Sequence, residues 1–473
     1  MKPGELLELD VESLGFEGIA IARLDTGIVV QLRGGLPGER VRARIRRKRR
    51  SYIEGDVVEV IAPSPWRREP PCPYAGDCGG CTWQHAEYTE QARWKQQHVR
   101  DALERIAGVV VGKYHPLVVS PLEFGYRAKM EFSCSERTWI PNKLWESMEP
   151  TAMERKRSAI GLHVRGRFDA VLDIEKCLLQ DEVANAILAA VRQRVRSSGV
   201  LCYNQRTREG FLRNIIIRRT SLNEAMLVLV TTSPQHESDH QLLNRCAHEL
   251  PEIIPQLVSI IWAVNDTPSP VPPGPYQTLT GREYIRERLA GVEFRISAQS
   301  FFQANIPQLE RFVACVIEAA SLEGNETLWD LYAGAGTLTL PLARKCTRII
   351  GVESNVHATT DARANAERNG ITNAEFITID LHSPAGWDVL DRLPQPDVVI
   401  TDPPRAGMHP KLVEYLLRRK PQRIVYVSCN PATQARDVEL LTACYHVTAV
   451  QPIDMFPQTY HVESIAVLQR YAN

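Results

Sequence analysis

Between residues 327 and 428, five short β-rich runs (327–332, 348–353, 374–380, 397–402 and 423–428) are separated by segments of helical period. Strands joined through helices of this length pair parallel, because a parallel partner needs a crossover of a dozen or more residues. The alternation therefore predicts a doubly wound sheet, whose carboxyl edge is where such folds place their chemistry. Two more runs, 447–452 and 463–468, add strands at the end. The fifth run breaks at Ser428-Cys429-Asn430-Pro431 and gives way to a helical pattern over 432–441. That places a thiol on a strand-to-helix corner of the carboxyl edge. A small core residue is the commoner role for such a cysteine; the neighbouring strand ends favour a nucleophile.

The first run continues into DLYAGAGTLTL, residues 330–340, where Gly334 and Gly336 permit a tight turn and close approach of a ligand. A dinucleotide fingerprint would want a third glycine where Thr339 stands, which disfavours NAD. The second run ends in Glu353, 23 residues after Asp330, where an acid can hold ribose hydroxyls. A plain strand-end charge is the bland alternative. A glycine loop and an acid without a pyrophosphate motif suit S-adenosylmethionine.

The fourth run ends in TDPPRAG, where Asp402 leaves the sheet beside two prolines that stiffen the backbone. An aromatic after DPP would suggest amino-group methylation of a stacked base. Arg405 stands there instead, and a cation suits a phosphate or a developing enolate. In the last run, HVESIAVLQR, Glu463 lies in an apolar strand, where a carboxylate is costly without a task or a partner. A structural salt bridge would also account for it. A thiolate and a general base are what methylation of a pyrimidine at carbon 5 requires, because that carbon is a poor nucleophile until a thiolate adds at carbon 6.

The N-terminal part reads differently. Short strand patterns at 7–10, 19–24, 27–31, 40–45 and 56–61, punctuated by glycines, suggest a small barrel. Net charge is zero, so an RNA partner must be argued from local patches. One such patch is ERVRARIRRKRR, residues 39–50. Its arginines at 40, 42 and 44 alternate with Val41, Ala43 and Ile45, which places a basic stripe on one strand face. A solvated face is the competing account. Next, CPYAGDCGGC brings Cys72, Cys78 and Cys81 within ten residues, a metal-binding loop whose fourth ligand could be Cys134 or Cys177, with Cys202 behind them. Zinc is the generic alternative to an iron–sulfur cluster.

A polar helix is expected over 87–106 and an α+β domain over 126–265. Residues 137–156 read as a surface insertion and residues 268–275 as a linker. Lys129, Arg213, Arg218 and Arg219 read as a solvated face more readily than as an RNA groove. The 473 residues suggest about three domains, and 24% charged with 44% hydrophobic residues is an ordinary soluble composition. No apolar run approaches the roughly 20 residues of a spanning helix, and the N-terminus carries no signal-peptide pattern. A cytoplasmic location with no membrane partner is the expectation. Eleven cysteines then point to metal ligation or catalysis more than to disulfides.

In its SCNPAT, DPPRAG, DLYAGAG, FFQAN and HVES motifs, the chain resembles the RNA uracil-5-methyltransferase family, and its first sixty residues resemble a TRAM domain, a small RNA-binding barrel. The resemblance implies a multidomain α/β fold: a TRAM-like barrel at 1–63, an iron–sulfur loop at 64–90, a central α+β RNA-binding domain at 91–265 and a Rossmann-like methyltransferase domain at 266–473. It implies Cys429 as nucleophile and Glu463 as base, with Gln303, Tyr332, Glu353 and Asp402 around S-adenosylmethionine. It also implies a [4Fe-4S] cluster on Cys72, Cys78, Cys81 and Cys177, and a monomer that acts on RNA, 23S ribosomal RNA first and tRNA second. Ala333 stands where many relatives carry cysteine. The competing readings are an RNA-binding protein or chaperone with a decayed methyltransferase domain, and a base amino-group or protein methyltransferase. Cys429, Glu463 and the intact glycine loop argue against the first, and Arg405 with the cysteine–glutamate pair against the second.

Overall fold

The computed structural model describes residues 2–141, 158–269, 272, 274–381 and 383–472. From residue 142 on, the expected insertion lies outside the described residues, as do three residues of the expected linker. The first five strands are β1 (Leu6–Leu14), β2 (Ala20–Arg23), β3 (Val29–Arg33), β4 (Arg40–Lys48) and β5 (Tyr52–Ala62); they close a barrel in the order β1-β2-β3-β5-β4. Alternation sets the faces of β4: Val41, Ala43 and Ile45 are buried, and the arginines between them point outward.

Helix α1 (Tyr88–Asp101) runs on through a wider turn at Ala102–Ile106 to the two-residue strand β6 (Lys113–Tyr114). The central part contains β7 (Lys129–Ser135), β8 (Ala159–His163), β9 (Val171–Asp173), α2 (Glu182–Ser198), β10 (Leu212–Arg219), β11 (Ala225–Thr231), α3 (Glu237–Ile253), β12 (Leu257–Val264) and β13 (Tyr276–Gly281). Its seven strands form one sheet in the order β13-β12-β11-β10-β7-β8-β9. A hairpin of β14 (Tyr284–Leu289) and β15 (Val292–Ser297), then α4 (Ile306–Ala320), lead into the last domain.

That domain alternates as the sequence pattern requires. Its elements are β16 (Thr327–Leu331), α5 (Thr339–Ala343), β17 (Arg348–Glu353), α6 (Val356–Arg368), β18 (Ala374–Thr378), α7 (Pro384–Arg392), β19 (Val398–Thr401), α8 (Pro410–Arg419), β20 (Arg423–Ser428), α9 (Pro431–Leu441), β21 (Tyr445–Ile453) and β22 (Glu463–Arg470). The sheet order is β18-β17-β16-β19-β20-β22-β21-β6, with β16 to β20 parallel and β22 antiparallel to both of its neighbours. Successive side chains feed two cores, one on each face. Leu328 and Ile465 lie in one; Trp329, Leu331, Ala466 and Leu468 lie in the other. Among the described residues no helix is long and apolar enough to cross a membrane.

Two details depart from the expectations. The sheets do not part at residues 91 and 265: β6 is the edge strand of the C-terminal sheet, Val99 and Leu103 pack into its core, and β13 still belongs to the central sheet. The central cations are not a solvated face. Arg213 is buried, donates to the Asn265, Thr267 and Ser269 carbonyls and stacks on Tyr203; buried Arg218 donates to the Ala298 and Ser300 carbonyls. A guanidinium has five donors in a fixed fork, so a cluster of backbone carbonyls can keep it buried.

Candidate active site

The chemistry gathers at the carboxyl edge of β16, β17, β19 and β20. Ser428 pairs with Ser464 in the antiparallel ladder of β20 and β22, so Cys429, one step beyond, lies opposite Glu463. Residues in such cross-strand positions have their Cα atoms about 4.5–5.5 Å apart, close enough for thiol and carboxylate to face one small ring. Burial pushes the Cys429 thiol up to about 12, Glu463 and Asp402 push it the same way, and Arg405 pulls it down. Glu463 is buried, its carboxyl makes no side-chain hydrogen bond among the described residues, and it is driven well above the carboxylate range by burial and by Asp402, with Arg405 opposing.

The expected adenosyl residues line the same edge, with one exception. Tyr332 and Ala333 donate their amides to the Val352 carbonyl at 2.9 and 3.0 Å, and Asp402 donates its amide to Leu331 at 3.3 Å, which aligns three strand ends. Tyr332 holds a left-handed backbone with φ +69°. Side chains other than glycine seldom take that region, and such strain clusters at functional sites. Glu353 accepts from the Gly334 amide at 3.0 Å and from the Ser354 and Asn355 amides at 2.8 Å, so one acid clamps both loops. Gly334 itself sits at φ +55°. Gln303 lies instead in the crevice lined by Lys129, Arg218, Arg219, Ile285 and Phe302, and no hydrogen bond among the described residues joins it to Tyr332, Glu353 or Asp402.

Asp330 and Glu463, both buried, and the partly exposed Asp402 are three acids at one edge. Burial raises Asp330 to about 7 against the pull of Thr339, whose hydroxyl hydrogen-bonds it; burial and Asp330 raise Asp402 to about 7. Thr339, which rules out the dinucleotide fingerprint, thus has a positive role as well. Asp330 Oδ1 and Tyr332 Oη are buried without a partner among the described residues. Clustered acids with unused acceptors call for a cation, and S-adenosylmethionine carries a sulfonium and an ammonium group.

Sequence reasoning assigned no role to His461 or Gln458, although His461 stands in the HVES motif it quoted. Arg405 Nη2 donates to His461 Nε2 at 3.3 Å. An arginine can only donate, so His461 accepts on Nε2. Burial, with Arg405, Lys95 and Arg127 nearby, holds this imidazole down near 3, so it stays neutral.

The thiol loop wraps against β8. Cys78 bridges Val164, the Gly79 amide donates to the His163 carbonyl at 2.9 Å, and Arg165 donates to the Cys81 carbonyl. A Cβ on Gly79 would stand 3.0 Å from that His163 oxygen, so glycine permits the close approach. Cys177 enters just ahead of α2, in a turn that Asn185 ties through the Cys177 amide and the Cys177, Gln180 and Asp181 carbonyls. Burial raises Cys78 to about 11 and Cys81 to about 12, and the Cys72 and Cys177 charges add to both shifts. Cys134 and Cys202 form a hydrogen-bonded pair of their own. Among the described residues, no three Cys, His, Asp or Glu side chains converge on a single ion.

On the barrel, Arg40, Arg42, Arg46 and Arg49 pair with Glu8, Glu59, Glu54 or Asp56. The expected stripe is therefore half engaged; Arg44, Lys48 and Arg50 keep no ion pair among the described residues. A cleft of about 910 Å³ lies in the central domain around Trp139, Phe168, Tyr203 and Arg206, and none of the catalytic or adenosyl residues lines it.

Comparison with known proteins agrees with this geometry. Residues 277–386 and 387–471 match the model of the tRNA (uracil-5-)-methyltransferase family, and residues 1–58 match the TRAM domain. An "uncharacterized RNA methyltransferase" of Bacteroides thetaiotaomicron is 40% identical, over 96% of this chain and 99% of its own. A protein of the same description from Chlorobaculum tepidum is 37% identical, over 99% and 97%. Among solved structures, the Pyrococcus abyssi tRNA (uracil-54, C5)-methyltransferase in complex with S-adenosyl-L-homocysteine is 30% identical, with a TM-score of 0.73 over 98% of this chain and 100% of that one.

Proposed function

Because the chain belongs to the RNA uracil-5-methyltransferase family, we propose that it methylates carbon 5 of a uridine in RNA, with Cys429 as nucleophile and Glu463 as base. The observation that carries this reading is the ladder register that sets the thiol opposite the buried carboxyl, beside Asp402 and Arg405. The target uridine must leave its stack to meet the thiolate. Cys429 adds to carbon 6, and the electron pair passes through carbon 5 towards the carbonyl, where an enolate builds up. Arg405 is the nearby cation, and it favours the thiolate at the start. S-adenosylmethionine, when bound, supplies the methyl group. Glu463 then takes the carbon 5 proton, and the Cys429–carbon 6 bond breaks to restore the double bond and free the thiolate. A cation seated among Asp330, Asp402 and Glu463 favours the ionised Glu463 that this step needs.

In this reading Tyr332, Glu353 and Asp402 hold the methyl donor, with Gln303 reaching towards it from the loop ahead of α4. Cys72, Cys78, Cys81 and Cys177 hold a [4Fe-4S] cluster. Support comes from a donor set made only of thiols, each close enough to the others for its charge to be felt. When bound, the cluster braces the loop against the segment that leads into α2. Protein purified without oxygen should carry iron and sulfide near four per chain; stoichiometric zinc instead would refute it.

The complete barrel and thiol loop support 23S ribosomal RNA as substrate. The likeness to the Pyrococcus tRNA enzyme supports tRNA as the second reading. Mapping 5-methyluridine in both RNAs, with and without the gene, separates them. The chemistry is tested by Glu463→Gln, which should trap a covalent protein–RNA adduct, since addition and methylation precede proton removal. No adduct on a denaturing gel would count against Glu463 as the base.

A further inference from the structure

The segment that leads into Glu463 is fastened by one residue. Gln458 is fully buried and holds a left-handed backbone with φ +68°. A residue other than glycine keeps that conformation only where its surroundings over-determine it. Here every polar atom is engaged. Oε1 accepts from Arg68 and Gln91 at 3.1 Å each, and Nε2 donates to Glu123 at 3.2 Å. The backbone amide donates to Gln91 at 2.9 Å, and the carbonyl accepts from the Thr82 and Trp83 amides at 2.9 and 3.0 Å. Two residues on, the Tyr460 amide donates to the Thr82 hydroxyl at 3.1 Å, and the Tyr460 ring lies 4.1 Å from His461. His461 in turn receives Arg405, the one cation among the groups that act on the Cys429 thiol, the others being Glu463 and Asp402.

We propose that Gln458 is a positioning residue for the reaction at Cys429: it locks the 456–461 segment onto Thr82 and Trp83, and so holds His461 against Arg405 and Arg405 against the thiol. The proposal rests on the reading of Cys429 as the nucleophile. Thr82 and Trp83 directly follow Cys81, so the order of the thiol loop is transmitted to this clamp.

The test is the alkylation of Cys429 by iodoacetamide in the full-length protein, followed by mass spectrometry across a range of pH, in two variants. Gln458→Asn keeps an amide and tolerates the left-handed backbone, but it is one methylene too short to span Arg68, Gln91 and Glu123. Thr82→Val removes only the hydroxyl acceptor of the Tyr460 amide. Both should slow alkylation at pH 8 about fivefold or more and move its profile to higher pH, because Arg405 no longer favours the thiolate. Affinity for S-adenosylmethionine should stay within about twofold while kcat falls, since the adenosyl edge is untouched. Parental alkylation rates and profiles in the folded variants overturn the proposal; if Gln458→Asn does not fold, Thr82→Val decides. Alkylation reads the thiol directly, so retained turnover in Cys429→Ala would defeat the nucleophile reading without deciding the clamp.

Discussion

Replacing Lys95 with methionine should cost about 3–5 kcal/mol, the range for removing one partner of a buried ion pair. Lys95 Nζ lies 2.7 Å from Asp454 Oδ1, neither side chain has exposed surface, and the ammonium also donates to the Phe456 carbonyl at 2.9 Å. Without it, Asp454 keeps two neutral donors, the Tyr88 hydroxyl at 3.0 Å and the Phe456 amide at 2.9 Å, and no counter-charge. Methionine fills most of the space, so the loss reports the stranded carboxylate more than a cavity. The double variant Lys95→Met/Asp454→Asn removes both charges and should recover most of the loss, since a buried pair is worth little against neutral groups of like volume. Urea unfolding of the full chain measures the totals, and hydrogen exchange over 454–462 shows where the strain is felt. A cost below about 1 kcal/mol for Lys95→Met, or single costs that simply add in the double variant, would refute the reasoning.

Cys429→Ala should abolish methyl transfer while RNA affinity stays within about threefold, because the thiol makes a bond and not a docking contact; turnover in this variant would remove the covalent route. Burial holds Asp330 and Asp402 near 7, so these two acids take up protons as the pH falls through 7. Binding of the sulfonium donor favours their ionised forms, so it should release protons and tighten as pH rises from about 6 to about 8. Calorimetry in buffers of different ionisation enthalpy reads the release, and equal release by S-adenosylhomocysteine, which lacks the sulfonium charge, would refute it. Replacing Arg44, Lys48 and Arg50 with alanine should flatten the dependence of RNA binding on log salt by about 0.7–0.9 per lost phosphate contact; an unchanged slope would take these cations out of the interface.

How much of this was legible depended on the range of the interaction. The alternation over 327–428 gave the parallel sheet because period and crossover length are local properties. The β4 stripe gave the barrel's inside and outside for the same reason. That Cys429 faces Glu463 could be read only by resemblance, since register between β20 and β22 is set by side chains far apart in the chain. Helix α1 reads as polar and gives no local sign that a distant sheet will cover Val99, and so the border at 91 fell in the wrong place. Arg213 and Arg218 read as surface because charge usually is; the carbonyls that hold them come from distant loops. The half-engaged stripe on the barrel has the same origin, its carboxylates lying on neighbouring strands. Gln458 carries no local signal at all, because an uncharged amide becomes a junction only when five residues from elsewhere meet it.

The edge strand and helix α1 complete a domain that the ribosome has yet to make. Lys95 and Asp454 are 359 residues apart in the chain. At about 5–20 residues per second, the nascent helix waits roughly 20 to 70 seconds for its partner. Through that interval the barrel can close while α1 holds its apolar side and its lysine in water. Assembly of the catalytic edge is thus timed by the synthesis of the β21–β22 hairpin.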